Sequence, residues 1–365
     1  MPPFKQEIEN IKTYEAGKPF ELIARDYGVA EDEIVKLASN ENPFGTSPKV
    51  KAKVAELASK MHRYPDDSYF ALKLALAKKF DVKSENIIIG AGSDQIFEFI
   101  SRALIERGDV ILQNKIAFAM YAIYAAQVGG RIIRTDTLRH DLKAFEKLLA
   151  NNPKVIYICT PSNPYGDALD RDETFEFLGK TDKRTLVVID AAYMEYAAFK
   201  DERKLIEPKE LIERFPNAIY AGTFSKAYGL GGMRVGYGIA RGDIIEALHK
   251  LRPPFNITTL SLAAAIEALG DSAFVQRTIE HNFKEMTRYE SFAREIGLTY
   301  EPSYANFIAF TFPKGKNASD TANALLKRGM IVRDLKSYDL NALRVTIGLS
   351  AENDRFFELF RERWR

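Results

Sequence analysis

Lys226 stands in a short segment whose residue types could carry covalent chemistry. The hydroxyl side chains of Thr223 and Ser225 precede it, and several glycines and Arg234 follow it. A lysine amine bonds to an aldehyde only while it is uncharged, a state that burial or neighbouring cations favour. An arginine binds a phosphate through paired, charge-assisted hydrogen bonds. Together these residues suit a cofactor that has both an aldehyde and a phosphate, namely pyridoxal 5′-phosphate (PLP).

A carboxylate lies upstream of this segment, at the end of an apolar run. Residues 185–190 are mostly β-branched or aliphatic up to Asp190, which is typical of a buried parallel strand. Such sheets bind ligands at the carboxyl ends of their strands. There Asp190 can pair with the pyridinium nitrogen of PLP, although taken alone it also suits a helix cap. Tyr193, which follows shortly after, can donate a hydrogen bond to the 3-hydroxyl of the ring.

A glycine turn further upstream has the composition of an anion-binding loop. A β-branched run ending at Ile89 leads into Gly-Ala-Gly, and a helical pattern then begins. Backbone N–H groups at the start of that helix, near Ser93 and Asp94, can bind a phosphate. Gln95 occupies the third glycine position of a dinucleotide-binding fingerprint, so that alternative is excluded.

Asn163 lies in an Asn-Pro-Tyr-Gly sequence after the apolar run Val155–Ile158. By itself this sequence predicts only a turn. Beside a cofactor ring, the Asn163 amide becomes a candidate donor to the same 3-hydroxyl that Tyr193 can reach. The only cysteine, Cys159, ends the strand, and we interpret it as a small buried side chain rather than a nucleophile.

These four patterns occur in an order that resembles the fold-type I PLP-dependent aminotransferases, over about residues 14–344. Within that superfamily, the resemblance is to the histidinol-phosphate aminotransferase family, and it rests on the segments Leu37–Gly45, Arg63–Asp66, Ser303–Phe307, Val332–Leu335 and Leu343–Gly348. The resemblance implies transamination between L-histidinol phosphate and 2-oxoglutarate in histidine biosynthesis. The products would be imidazole-acetol phosphate and L-glutamate.

The resemblance also implies a role for each cofactor-binding residue. Lys226 would bond to the PLP aldehyde, Asp190 would hold the ring nitrogen, and Tyr193 with Asn163 would contact the 3-hydroxyl. Phe118 would stack on the ring, although Ile116-Ala117 replaces the Pro-Thr that the family commonly has before it. The ligands implied for the cofactor phosphate are Ser93, Asp94, Ser225, Arg234 and, from the other subunit of a homodimer, Tyr64. Thr223 is a further expected cofactor contact.

The substrates require a pocket that accepts anions of different shape. Histidinol phosphate has a phosphate and no carboxylate, whereas 2-oxoglutarate has two carboxylates. Arg333 and Arg344 lie on neighbouring segments and can bind such groups through charge-assisted forks. The resemblance assigns the substrate phosphate to Arg333 and Tyr14 and the carboxylate to Arg344. Asn42 and Asn163 are the other expected substrate contacts.

Two other activities fit the same residues. A PLP lyase resembling threonine-phosphate decarboxylase would also bind a phosphorylated amine, but it would release carbon dioxide and need no amino acceptor. A broader aromatic aminotransferase is the third alternative, because the 24 phenylalanines and 17 tyrosines could include a ring-accepting pocket. A few pocket contacts separate such activities, so these residue patterns leave the choice open.

The order of apolar runs predicts the elements that position these residues. Strands are expected near residues 87–90, 109–113, 131–135, 154–159, 185–190, 218–222 and 235–240, with amphipathic helices between them. This alternation predicts an α/β fold, and the resemblance makes it the fold-type I architecture: a mainly parallel seven-stranded sheet flanked by helices, plus a smaller α+β domain. The expected divisions are an N-terminal arm that joins the small domain (1–45), a large PLP-binding domain (46–252) and the small domain (253–365).

The composition is that of a cytoplasmic enzyme. The 52 basic and 50 acidic residues give a net charge of +2, which offers no reason to expect nucleic-acid or membrane binding. We expect neither a signal sequence nor a membrane span, since the N-terminus lacks an apolar core and no apolar run of about 18 residues occurs. The four histidines are scattered, so no metal site is predicted.

Overall fold

Apolar strands alternate with helices along the computed structural model, which describes residues 4–9, 11 and 20–364. The strands are β1 (Val35–Leu37), β2 (Ile87–Gly90), β3 (Val110–Gln113), β4 (Arg131–Arg134), β5 (Val155–Cys159), β6 (Leu186–Asp190), β7 (Ala218–Thr223), β8 (Gly236–Ala240), β9 (Thr299–Glu301), β10 (Phe307–Thr311), β11 (Met330–Asp334) and β12 (Ala342–Thr346). The helices are α1 (Gln6–Glu9), α2 (Phe20–Tyr27), α3 (Pro48–Leu57), α4 (Phe70–Phe80), α5 (Ser93–Leu104), α6 (Ala119–Gln127), α7 (Leu142–Leu148), α8 (Arg171–Gly179), α9 (Met194–Lys200), α10 (Pro208–Arg214), α11 (Gly242–His249), α12 (Thr259–Gly270), α13 (Ser272–Ile296), α14 (Ala318–Leu326) and α15 (Ser350–Trp364). Among the residues described, no helix combines the length and apolar character that crossing a membrane requires.

The larger sheet contains all seven strands expected from the apolar runs between residues 87 and 240. Its order is β2-β8-β7-β6-β5-β3-β4. Only β8 runs antiparallel to its neighbours, and the other pairs are parallel. Six of the strands are buried along their whole length, because helices cover both faces of such a sheet. The predicted fold class is therefore confirmed.

Three parallel strands end at one edge of this sheet and bring separate parts of the sequence together. β5, β6 and β7 end at Cys159, Asp190 and Thr223, and Cys159 lies opposite Asp190 in the strand register. The loops that follow these strands carry Asn163, Tyr193 and Lys226. Chain segments far apart in sequence thus open onto the same crevice, which is where open α/β sheets bind their ligands.

The smaller sheet has the order β1-β11-β12-β10-β9 and draws one strand from the N-terminal part of the chain. β1 pairs in parallel with β11, with Val35 opposite Met330. The other neighbouring pairs are antiparallel. Helices α13, α14 and α15 pack on this sheet and on one another, around a buried cluster that includes Phe292, Phe310 and Phe356.

The apolar core of the larger sheet continues beyond residue 253, where the sequence suggested a change of domain. Helix α12 packs on α3 and α4, and its Leu262, Ala265 and Ala268 belong to the same buried cluster as the strands of the larger sheet. The long helix α13 then contacts β9 and β10 of the smaller sheet. We therefore propose that the chain passes between the two domains within α13 rather than at 253.

Gly236 allows β8 to pass directly beneath the turn that precedes α5. It lies opposite Gly90 in the pairing of β8 with β2. A Cβ atom on Gly236 would lie 2.1 Å from the backbone nitrogen of Ser93 and 2.3 Å from the carbonyl carbon of Gly92. Both neighbours are backbone atoms, so a side-chain rotation cannot relieve the overlap.

Gly236→Ala is therefore expected to lower the free energy of unfolding by about 1–3 kcal/mol, the usual cost of overpacking a tight interior. Urea unfolding of the cofactor-free protein would measure this change. Gly232→Ala is the matched control, because its added methyl meets nothing within 4 Å among the described residues. The control should change the unfolding free energy by less than about 0.5 kcal/mol. Equal losses in the two variants would contradict the packing argument.

Candidate active site

A cavity of about 250 Å³ opens at the carboxyl ends of β5, β6 and β7. Ten of the residues predicted to bind the cofactor line it: Ser93, Asp94, Phe118, Asn163, Asp190, Tyr193, Thr223, Ser225, Lys226 and Arg234. The fold thus brings together residues from five separate loops and helix starts.

Lys226 is half-buried, and its amine is directed into this cavity. Its Nζ donates a hydrogen bond to the carbonyl oxygen of Ser39 at 3.3 Å. Burial lowers the pKa of Lys226 to about 8, and the positive charges of Arg344 and Arg234 act in the same direction, while Glu41 opposes them. An ordinary lysine has a pKa of about 10.4, so at neutral pH this amine is uncharged far more often. That is the state in which it can attack an aldehyde.

Asp190 is a buried carboxylate whose oxygens have fixed hydrogen-bond partners. Its Oδ2 accepts a hydrogen bond from the Tyr121 hydroxyl, and its Oδ1 accepts one from the backbone N–H of Ala192 at 3.1 Å. Burial raises the pKa of Asp190 to about 6, against the effect of these hydrogen bonds. The group is therefore predominantly ionised at neutral pH, as a partner of a protonated ring nitrogen must be.

The opposite end of the cavity is shaped to bind an anion. Helix α5 begins at Ser93, after Gly92 with φ of 78°, so the free N–H groups of its first turn face the cavity. Arg234 lies beside this turn, because a Cβ on Gly92 would be 2.8 Å from its Nη2. A guanidinium nitrogen of Arg234 is 3.5 Å from the Ser225 hydroxyl, which in turn accepts a hydrogen bond from Thr223 at 3.1 Å.

The carboxylate of Asp94 is held by the protein. Its Oδ2 accepts a hydrogen bond from the Tyr124 hydroxyl at 2.8 Å, while Oδ1 is buried and has no partner among the described residues. Burial raises the pKa of Asp94. A carboxylate close to a phosphate repels it, so we assign the attraction to the Asp94 N–H group at the helix start.

A second cavity of about 630 Å³ adjoins the first and extends to the smaller sheet. The two cavities share Phe118, Asn163, Tyr193 and Lys226, among others. Arg333 and Arg344 both line the second cavity, and they lie directly opposite each other on the antiparallel strands β11 and β12. The two guanidinium groups predicted to bind substrate anions therefore face one volume that is continuous with the lysine.

Arg344 joins the smaller sheet to the Asn163 turn. One terminal nitrogen donates to Oδ1 of Asn163 at 2.5 Å, and the other donates to the carbonyl oxygen of Ala38 at 2.7 Å. The arginine is 8% exposed, so these contacts fix its guanidinium group rather than leave it in solvent. Its charge is also one of the causes of the lowered Lys226 pKa.

Three predicted residues lie elsewhere. Asn42 lines neither cavity and is buried; its amide nitrogen donates to the carbonyl of Ala227 at 3.0 Å and to the Thr278 hydroxyl at 3.2 Å. These contacts hold the loop after Lys226. Tyr64 is 83% exposed and stacks on Phe255, with ring centres 4.7 Å apart. Tyr14 falls outside the described residues.

Tyr121 and Asn40 are among the residues that contact the site but were not predicted from the sequence. Tyr121 donates to Asp190, as described above, but in the sequence it looks like an ordinary aromatic residue of a helix core. Asn40 lines the second cavity and donates to the Tyr193 hydroxyl at 2.9 Å. Its backbone has φ of 55°, a left-handed conformation that asparagine tolerates well. The only available signal was an asparagine two residues before the predicted Asn42.

The combined arrangement fits PLP. The lysine amine suits its aldehyde, the ionised Asp190 suits its ring nitrogen, and Phe118 borders the space between them. The first turn of α5, with Arg234 and Ser225, suits its phosphate.

Comparisons with known proteins agree with this chemistry. The family model described as aminotransferase class I and II matches residues 32–358. The chain is 56% identical over 360 residues to the histidinol-phosphate aminotransferase of Wolinella succinogenes, with 98% of each chain covered. It is also 56% identical over 357 residues to the same enzyme of Sulfurimonas denitrificans, again with 98% of each covered.

A solved structure extends the likeness to three dimensions. The histidinol-phosphate aminotransferase from Sinorhizobium meliloti, determined in complex with PLP, is 28% identical to this chain. The two superpose with a TM-score of 0.88 over 100% of this chain and 99% of the other. The chain belongs to the class I and II aminotransferases and, within them, to the histidinol-phosphate aminotransferase family.

Proposed function

We propose that this protein transfers the amino group of L-histidinol phosphate to 2-oxoglutarate with the help of PLP. The products are imidazole-acetol phosphate and L-glutamate, and the reaction is a step of histidine biosynthesis. The observation that carries the proposal is Lys226, which faces two continuous cavities, one ending in an anion site and the other containing two arginines. The identity of 50–56% to curated histidinol-phosphate aminotransferases favours this substrate over the lyase and aromatic alternatives.

The proposed roles follow from the position of each side chain. When bound, PLP supplies a ring that accepts the electron pair left behind on the substrate Cα. With PLP bound, Asp190 would hold a proton at the ring nitrogen, and Tyr193 and Asn163 would contact the 3-hydroxyl. Lys226 Nζ would accept the proton lost by the substrate Cα and deliver it to the cofactor. Acid–base catalysis of this kind contributes about 10²–10⁴ to the rate.

The arginine pair accounts for two substrates in one pocket. Arg333 binds the phosphate of histidinol phosphate and a carboxylate of 2-oxoglutarate in alternate half-reactions. Arg344 binds the α-carboxylate when one is present. Because Arg333 and Arg344 are opposite each other on neighbouring strands, the distance between their Cα atoms is set by the sheet.

The proposal includes a second copy of the chain. Tyr64 is exposed and lies outside both cavities of its own subunit, which suits a residue that reaches the cofactor phosphate of a partner subunit. We also propose that Tyr14 assists Arg333 at the substrate phosphate and that the homodimer is cytoplasmic.

A single-turnover experiment tests the reaction directly. Histidinol phosphate, added without an acceptor to the PLP-loaded protein, should remove the yellow absorbance stoichiometrically, and 2-oxoglutarate should restore it. Lys226→Ala, the control, should show no such change, because no amine remains to bond to the cofactor or to move the Cα proton. Unchanged absorbance with histidinol phosphate, together with carbon dioxide release from phosphothreonine, would instead identify the lyase.

The lowered pKa of Lys226 predicts how fast cofactor-free protein takes up PLP at different pH values. With a pKa of about 8, roughly one tenth of the amine is uncharged at pH 7 and roughly nine tenths at pH 9. The rate of covalent uptake, followed by absorbance, should therefore rise about tenfold over this range and then level off.

Removing a nearby cation should shift the pH dependence of the PLP uptake rate. Arg344→Gln takes away one of the charges that lower the Lys226 pKa, so the midpoint should shift to higher pH. A rate that keeps rising about tenfold per pH unit through pH 9 in the unaltered protein would show that Lys226 titrates like an exposed lysine.

Arg333→Ala should weaken binding of phosphorylated substrates selectively. Loss of a charge-assisted contact costs about 1.5–3 kcal/mol, which corresponds to a KM for histidinol phosphate raised about 10- to 100-fold. An unphosphorylated aromatic amino acid serves as the matched substrate, and its KM should change by less than about threefold. Equal losses with both substrates would place the phosphate site elsewhere in the cavity.

A further inference from the structure

Tyr121 has a buried hydroxyl with a specific partner in the site. The residue is 0% exposed, and its hydroxyl donates to Oδ2 of Asp190. The other oxygen of Asp190 accepts the N–H of Ala192. The carboxylate is therefore held at both oxygens from the protein side.

The phenol ring cannot easily turn away from this contact. Tyr121 stacks face to face on Tyr157, with ring centres 4.3 Å apart and planes at 5°. Phe97 and Phe118 contact it edge to face, at 5.0 Å and 5.7 Å. Tightly packed interiors allow few alternative rotamers, so the packing itself fixes the position of the hydroxyl.

The start of helix α6 brings two side chains to the site. Phe118 precedes the helix as its N-cap, and Tyr121 lies one turn further on. Phe118 borders the cavity where the cofactor ring fits, whereas Tyr121 approaches the carboxylate beyond the ring edge. The same helix start thus holds both Phe118, which would stack on the cofactor ring, and Tyr121, which contacts Asp190.

We propose that Tyr121 is a positioning residue that keeps Asp190 ionised and directed at the ring nitrogen of PLP. The inference rests on the role proposed above for Asp190. A hydrogen bond from a neutral donor stabilises a buried carboxylate more than the corresponding acid. Without this donor, the proton shared between Asp190 and the ring nitrogen moves towards the carboxylate, and the ring becomes a poorer electron acceptor.

Other groups also act on Asp190 and stay in place when Tyr121 is altered. Burial opposes its ionisation, while the Ala192 N–H and the Cys159 thiol favour it. The remaining titratable groups that interact with it electrostatically are Asp94, Tyr157, Tyr193 and Lys226.

The test uses Tyr121→Phe and, as matched control, Tyr157→Phe, which removes a hydroxyl from the other ring of the same buried stack. Both are loaded with PLP labelled with ¹⁵N in the ring. Tyr121→Phe should move the ¹⁵N resonance towards the unprotonated position and weaken PLP binding by about tenfold. Tyr157→Phe should leave the resonance in place. An unmoved resonance with PLP affinity within twofold in Tyr121→Phe would overturn the proposal.

A further variant separates this inference from the assignment on which it rests. Asp190→Asn should displace the same ¹⁵N resonance, since an amide cannot hold the ring proton. If it does and Tyr121→Phe does not, only the inference about Tyr121 fails. If Asp190→Asn leaves the resonance unmoved, the role of Asp190 itself is wrong.

A label that preserves the side chain covers the case in which Tyr121→Phe does not fold. 3-Fluorotyrosine placed at position 121 retains both ring and hydroxyl. Its ¹⁹F resonance should move when PLP binds, and this movement should be absent when Asp190 is replaced by Asn. A resonance that is unaffected by PLP in the otherwise unaltered chain would count against the proposal.

Discussion

The burial of a carboxylate at the end of a parallel strand is the constraint around which this site is arranged. Asp190 ends β6 in the middle of the larger sheet, where strands on both sides and helices above and below exclude water. An ionised group there is costly unless hydrogen bonds and a positive partner compensate it. Tyr121 and the Ala192 N–H meet the first requirement. In the role proposed for Asp190, the protonated ring of PLP would meet the second.

The same desolvated volume makes the lysine useful. Lys226 and Asp190 line one cavity, and burial acts on both in the same way: it favours the uncharged form, lowering the pKa of the amine and raising that of the acid. Opposite shifts thus arise from a single physical cause. The positive charges of Arg344 and Arg234 lower the pKa of Lys226 further.

Much of this could be predicted from the sequence because it depends on local patterns. Apolar β-branched runs determined where the seven strands of the larger sheet lie, and the polar residues that follow those runs line the cavity. The role of Tyr121 could not be predicted, since the direction of a hydroxyl inside an aromatic stack depends on tertiary packing. The different positions of Asn40 and Asn42 could not be predicted either. Asn40 has a left-handed backbone and contacts Tyr193 in the cavity, whereas the side chain of Asn42 contacts the loop at Ala227.

The boundary that we propose between the two domains also could not be predicted from local sequence patterns. Pro253 and Pro254 interrupt the chain where the small domain was expected to begin, but helix α12 returns to α3 and α4 before the chain reaches the smaller sheet. The burial of apolar surface determines such a path, and the apolar residues of α12 are buried in the core of the larger sheet. Local chain-breaking residues therefore predict the end of an element better than the domain to which the next one belongs.

The hydrogen bond from Arg344 to Asn163 has a consequence for a pocket that binds two chemically different substrates. A buried guanidinium needs hydrogen-bond acceptors, and histidinol phosphate brings no carboxylate. In the role proposed above for Arg344, the amide oxygen of Asn163 is the acceptor that remains when no carboxylate is present. A keto acid would then replace a neutral acceptor with a charged one, while the carbonyl oxygen of Ala38 still accepts from the other terminal nitrogen. The proposed use of two unlike substrates would thus depend on one side-chain pair.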